Sequence, residues 1–138
     1  MRFSLAKYIT LPIAVTTRKR GRTVTICKLI EAEPGAIAIA VVWRRQRGTA
    51  DVVSLPTRLL AWAHNVGVRT VFLRNDREGW LRRISVAELL AAGWHREDNE
   101  TYWKVKAMAP VPWRWWPFAE RAVDLDELLE LVPPEDGR

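Results

Sequence analysis

His64 and His95 are the only histidines in this sequence of 138 residues, and histidine is the side chain that ordinarily titrates near neutral pH. As a pair they could act as general acid and general base in metal-free RNA cleavage. His64, however, comes late in a helix-like segment, where interaction of the ring with the C-terminal helix dipole is the simpler role. His95 opens the run His95-Arg96-Glu97-Asp98-Asn99-Glu100, which has metal-ligating residue types but reads as an exposed acidic loop. No catalytic residue, metal ligand or cofactor site is assigned. Cys27 is the single cysteine, so neither an internal disulfide nor a cysteine-built zinc site can form. That usage fits a reducing, intracellular setting, and a cytoplasmic location is expected.

The cations give the stronger chemical signal. Residues 1–83 hold 16 Lys+Arg against 5 Asp+Glu, whereas residues 84–138 hold 6 against 11. A basic body with an acidic tail calls for an anionic partner for the body, and nucleic acid is the commonest one. Arginine outnumbers lysine 17 to 5, a choice that suits bidentate contact with phosphate. Two clusters stand out: Arg18, Lys19, Arg20 and Arg22 around Gly21, and Arg44, Arg45 and Arg47. In the first, like charges within a few residues repel, so they remain solvated or meet phosphates, and Gly21 permits close approach. Together the seven form the expected phosphate-binding set. Arg82 and Arg83 alternate on a strand, so only one of them can share a face with either cluster.

These clusters need elements to position them. Pro12 marks residues 8–15 as an edge strand or extended arm. Residues 23–30 alternate and are β-branched, so they read as a strand, followed by a Pro34-Gly35 turn. Ala36–Trp43 is apolar throughout, as in a strand covered on both faces at the centre of a sheet, and Arg44, Arg45 and Arg47 emerge from its carboxyl end. Residues 51–54 read as a short strand or a lead-in, and Ser54 is the expected N-cap of a helix over 56–66 whose buried face is Leu55, Leu59, Trp62, Ala63 and Val66, with Gly67 at C′ and Arg58 off that face. Residues 68–73 form a second buried strand, completing a right-handed crossover. A hairpin through residues 75–79 leads to a strand over 80–84. Ser85 and Glu88 make a capping box for a helix that Gly93 stops. Residues 94–100 read as a loop and 101–106 as a strand.

The region beyond differs in character. Trp113, Trp115, Trp116 and Phe118 lie within six positions, between prolines that oppose regular structure. They could stack bases, cover the protein's own sheet, or form a partner-protein interface. The acidic flank favours the last two. Asp124 caps a final helix over 125–132. The expected class is α/β (α+β): a central mixed sheet flanked by helices in one core domain over 1–106, with 107–138 packing on that core or on a partner. No apolar run reaches the length of a membrane span, so no membrane partner is expected.

The order of residues 23–93 resembles the archaeal Holliday-junction resolvases of the PD-(D/E)XK restriction-endonuclease-like superfamily. The matching pieces are Ile39 to Arg47, the helix ending Trp62-Ala63-His64-Asn65-Val66-Gly67, the strand at 70–74, Gly79-Trp80, and Val86-Ala87-Glu88-Leu89. The resemblance implies a restriction-endonuclease-like core, a homodimer, and binding of branched DNA. It also places the family's Glu-x-Lys on Ala40-Val41-Val42 and its aspartate near Thr23 or Thr25, and the family's N-terminal helix has no counterpart in 1–16. Alanine and valine offer no oxygen ligand for Mg²⁺ and no charge. A weaker similarity, Ala61-Trp62-Ala63-His64-Asn65-Val66, is to tRNA-splicing endonucleases, whose catalytic lysine would fall at Val68.

The expectation is therefore a non-catalytic protein that binds nucleic acid, DNA ahead of RNA. One alternative is a structural subunit of a processing complex, docking through its C-terminal segment. The other is a nuclease with a displaced site.

Overall fold

The chain enters its first strand, β1 (Ile13–Lys19), directly after Pro12 and leaves it through a turn at Arg20 and Gly21. Both turn residues have positive φ, 52° and 77°, the backbone of tight hairpin turns whose twist matches that of the strands. β2 (Arg22–Glu33) returns antiparallel, with Lys19 opposite Arg22. The computed structural model describes residues 9–33, 36–43, 52–75, 80–95, 100–104, 111–112 and 121–131.

The later elements are β3 (Ala36–Trp43), β4 (Val52–Pro56), α1 (Thr57–Asn65), β5 (Thr70–Asn75), β6 (Trp80–Ser85) and α2 (Val86–Ala92). They are followed by β7 (Trp94–His95), β8 (Glu100–Lys104), β9 (Val111–Pro112), β10 (Arg121–Asp124) and α3 (Leu125–Leu131). Among the described residues seven strands form one mixed sheet, in the order β10-β1-β2-β3-β5-β6-β9. β3 runs parallel to β5 and β1 parallel to β10, and the remaining pairs are antiparallel. A smaller sheet has the order β4-β8-β7. The architecture is α+β, and no helix among the described residues is long and apolar enough to cross a membrane.

β3 occupies the middle of the large sheet, as its apolar run requires. Ile39 and Val41 enter the main core, while Ala38 and Ala40 are buried in a separate small cluster on the other face. The main core also takes Leu59, Leu60 and Trp62 of α1, Leu89 of α2, and Leu125 and Leu128 of α3. All three helices thus share a core with one face of the sheet. Burying each such side chain contributes roughly 1.5–3 kcal/mol.

Local chemistry explains where the elements begin and end. Ser85 Oγ accepts from the Glu88 amide at 3.1 Å, the first half of the expected capping box. Asp124 Oδ1 accepts from the Asp126 amide at 2.9 Å and caps α3. Gly67 follows α1 with φ 84°, the left-handed C′ position expected of it.

Several expectations change. Ser54 is not the cap of α1. It lies in β4 and donates instead to Glu100, and Pro56 precedes the helix with no side-chain cap. Leu55 is buried, but from β4 rather than from the helix. Gly93 ends α2 in an extended conformation, and its role is steric: a Cβ there would lie 2.4 Å from Thr101 Cγ2 and 2.6 Å from the Leu89 carbonyl oxygen. Trp94 and His95 form a short strand against Tyr102 and Thr101 instead of a loop. The first half of β1 is interior, because β10 pairs with Ile13 to Thr16. Pro12 sits just before that ladder, where its missing N–H costs no strand bond.

Candidate nucleic-acid interface

The β1–β2 hairpin carries the first basic cluster to an exposed tip. Its two-residue turn forces Arg18, Lys19, Arg20 and Arg22 into close succession, and all four are exposed. Lys19 Nζ lies 2.9 Å from Glu100 Oε1. Among the described residues no ion pair holds Arg18, Arg20 or Arg22. The hairpin also bends: β2 carries an extra residue, Ile26, between Cys27 opposite Val15 and Thr25 opposite Thr16. Such a bulge increases local twist and re-aims the strand end.

The tip borders an open groove of about 890 Å³. Thr17 to Arg20 form one side, Pro56 with Thr57, Arg58 and Ala61 of α1 form another, and Glu100 and Leu125 complete the lining. Thr57 Oγ1 and Thr101 Oγ1 are 2.7 Å apart and fasten the start of α1 to β8. The Glu100 carboxylate is only 12 % exposed, and Ser54 Oγ donates to it at 2.7 Å. Arg58 pairs with Asp126 of α3, and both side chains are exposed.

Of the expected phosphate-binding set, the structure therefore gathers Arg18, Lys19 and Arg20 on one groove and places Arg22 beside Lys19. Arg44, Arg45 and Arg47 lie outside the described residues, as do Trp113, Trp115, Trp116 and Phe118. Arg58, Glu100 and Asp126 join this groove without any local signal in the sequence. Arg58 is legible as a polar residue off the buried face of its helix, but nothing in the sequence brings it to a hairpin tip some forty residues upstream. His64 is exposed in the last turn of α1, the helix-end position its spacing suggests.

The position that the resemblance gives to the family's glutamate is Ala40, on the sheet face opposite the helices. Its cross-strand neighbours are Lys28 of β2 and Phe72 of β5. Phe72 in turn pairs with Arg83, whose guanidinium sits 5.3 Å from the phenyl centroid. The row reads Lys28, Ala40, Phe72, Arg83: two cations, a methyl group and an aromatic ring, with no carboxylate. Thr25, at one of the aspartate positions, is exposed. Among the described residues no group of three or more His, Cys, Asp and Glu could hold a metal ion. Neither a family model nor a curated protein matches the chain.

Proposed function

We propose that this chain is a non-catalytic nucleic-acid-binding protein on a degenerate resolvase-like, restriction-endonuclease-like core, holding branched or duplex DNA by its phosphates. The observation that carries the reading is the hairpin tip, with Arg18, Arg20 and Arg22 exposed and without ion pairs among the described residues. A polyanion relieves the repulsion of such a tip and releases its own counterions on contact. Guanidinium forks can hold phosphate oxygens bidentately. Contacts of this kind position a protein on DNA without reading its sequence.

The order β3, α1, β5, β6, α2, with the short strand β4 inserted before α1, supports the scaffold half of the reading, because the resemblance implies strand, helix, strand, strand and helix in that sequence. The Lys28–Ala40–Phe72 row supports the non-catalytic half. Divalent-metal cleavage needs oxygen ligands, and the resemblance implies that one of them is a carboxylate at the Ala40 position. A methyl group provides none. The resemblance also implies a homodimer, which solution mass would reveal.

The test is binding of a four-way junction and of a duplex of matched length across a salt series. Affinity should fall steeply, with a log–log slope of about −0.9 per phosphate contacted and little dependence on base sequence. Affinity that holds constant as salt is raised several-fold removes the proposal. Cleavage of the labelled junction in Mg²⁺ would overturn its non-catalytic half and favour a displaced active site.

A further inference from the structure

The groove beside the hairpin has a feature that a solvated basic surface does not require: two of its cations are matched with carboxylates of very different standing. Glu100 is nearly buried, anchored by Ser54 and bound to Lys19 at 2.9 Å. It is a fixed part of the wall. Asp126 is 68 % exposed and Arg58 is 53 % exposed. A pair that exposed contributes at most about 1 kcal/mol and exchanges readily for another anion. Around Arg58 the lining is suited to an anion. Arg18 and Arg20 rim the same groove. α1 starts there with no acidic residue in its first turn and no side-chain cap. The volume, about 890 Å³, falls within the usual range of small-ligand clefts.

We propose that this groove is a phosphate-binding site for a nucleic-acid strand, in which a phosphate seats between Arg58 and the hairpin arginines and takes the place of Asp126. Asp126 is the resident competitor: it occupies Arg58 in the free protein and is displaced on binding. Lys19 stays with Glu100 and contributes shape more than charge. The identity of the carrier strand rests on the nucleic-acid reading above, whereas the phosphate site itself does not.

Inorganic pyrophosphate is the probe, titrated at constant ionic strength and followed by backbone amide shifts. Saturable shifts should centre on Thr57, Arg58, Arg18 and Arg20. Asp126→Asn should tighten binding about three- to fivefold, and Arg58→Gln should weaken it about tenfold. In the Arg58→Gln background, Asp126→Asn should add nothing. Glu127→Gln is the control, since it makes the same net-charge change one residue along on the same helix, and it should leave affinity within twofold. Equal gains from Asp126→Asn and Glu127→Gln, or no saturable shifts at Thr57 and Arg58, overturn the site. Junction binding that is unchanged by Arg58→Gln but fails without the hairpin arginines overturns the seating of the strand at Arg58 and leaves the nucleic-acid reading standing. Pyrophosphate binding as expected, with no salt-dependent binding of junction or duplex, sinks the nucleic-acid reading and leaves the site standing.

Discussion

Lys28 stands opposite Ala40 across the β2–β3 ladder, and the alanine is buried in a small cluster with Ile30 and Ala38, against which Phe72 packs. A carboxylate at this position has a cation beside it but no room and little water. Ala40→Glu should therefore destabilise the fold by about 2–4 kcal/mol at pH 7, from overpacking and charge burial together. Ala40→Leu, which adds volume without charge, should cost about 1–3 kcal/mol. Urea denaturation of the two variants separates the terms. Ala40→Glu no more costly than Ala40→Leu would mean that Lys28 fully compensates the charge.

The sequence shows the centre of this fold better than its periphery. The bounds of β3 follow from an unbroken apolar run, and the caps at Ser85 and Asp124 follow from side chains that satisfy nearby amides. β10 was not legible. Its four residues, Arg121 to Asp124, have no pattern of their own and become a strand only by pairing with β1. The same limit governs the groove. Arg18, Lys19 and Arg20 announce themselves by crowding, but Arg58, Glu100 and Asp126 join them through packing of α1, β8 and α3, and no local spacing encodes that.

Replacing the hairpin arginines should change how binding depends on salt. Arg18→Gln, Arg20→Asn and Arg22→Gln remove three charges, and asparagine tolerates the left-handed backbone at position 20. If all three side chains contact phosphates, the log–log salt slope of duplex binding should shrink by about 3, roughly one per contact. Thermal unfolding should be nearly unchanged, because the side chains are exposed. An unaltered slope would show that the tip stays solvated in the complex.

Two glycines should respond differently to alanine. At Gly93 the new Cβ meets Thr101 and the Leu89 carbonyl within 2.6 Å, and backbone cannot move aside cheaply. The expected loss is about 1–3 kcal/mol, and the β7–β8 pairing should loosen. At Gly21 nothing lies within 4 Å, so only the φ of 77° is strained. That loss should be about 1 kcal/mol. Chemical denaturation of each variant measures both, and a larger loss at Gly21 than at Gly93 would contradict the steric account.

Cys27 gives the protein a defined alkaline weakness. The thiol is buried in the main core, and burial pushes its pKa well above the ordinary thiol range. The unfolded thiol releases its proton from about pH 8.5 upward while the buried one keeps it. The unfolded state then binds fewer protons, so stability falls as pH rises. The decline due to this group approaches about 1.4 kcal/mol per pH unit above that point. Stability curves of the protein and of Cys27→Ala, measured between pH 8 and 10.5, should diverge in slope by that amount. Native-state reaction with a thiol reagent should be slow and should accelerate on unfolding.

The final helix bears on how any partner contact through the C-terminal region can be tested. Leu125 and Leu128 of α3 are buried in the same core as Ile13 and Val15 of β1, and β10 extends the sheet beside them. Leu128→Ala should cost about 2–5 kcal/mol, the range for a buried leucine whose cavity does not collapse. A chain ending at residue 106 loses β9, β10 and α3 together, and should lose its cooperative unfolding transition. Loss of assembly on such a truncation would therefore report unfolding and not a docking surface. Single substitutions at Trp113, Trp115, Trp116 and Phe118, each checked for an unchanged melting temperature before solution mass is measured, carry the question instead. A cooperative melt retained by the truncated chain would show that α3 contributes less to the core than its burial implies.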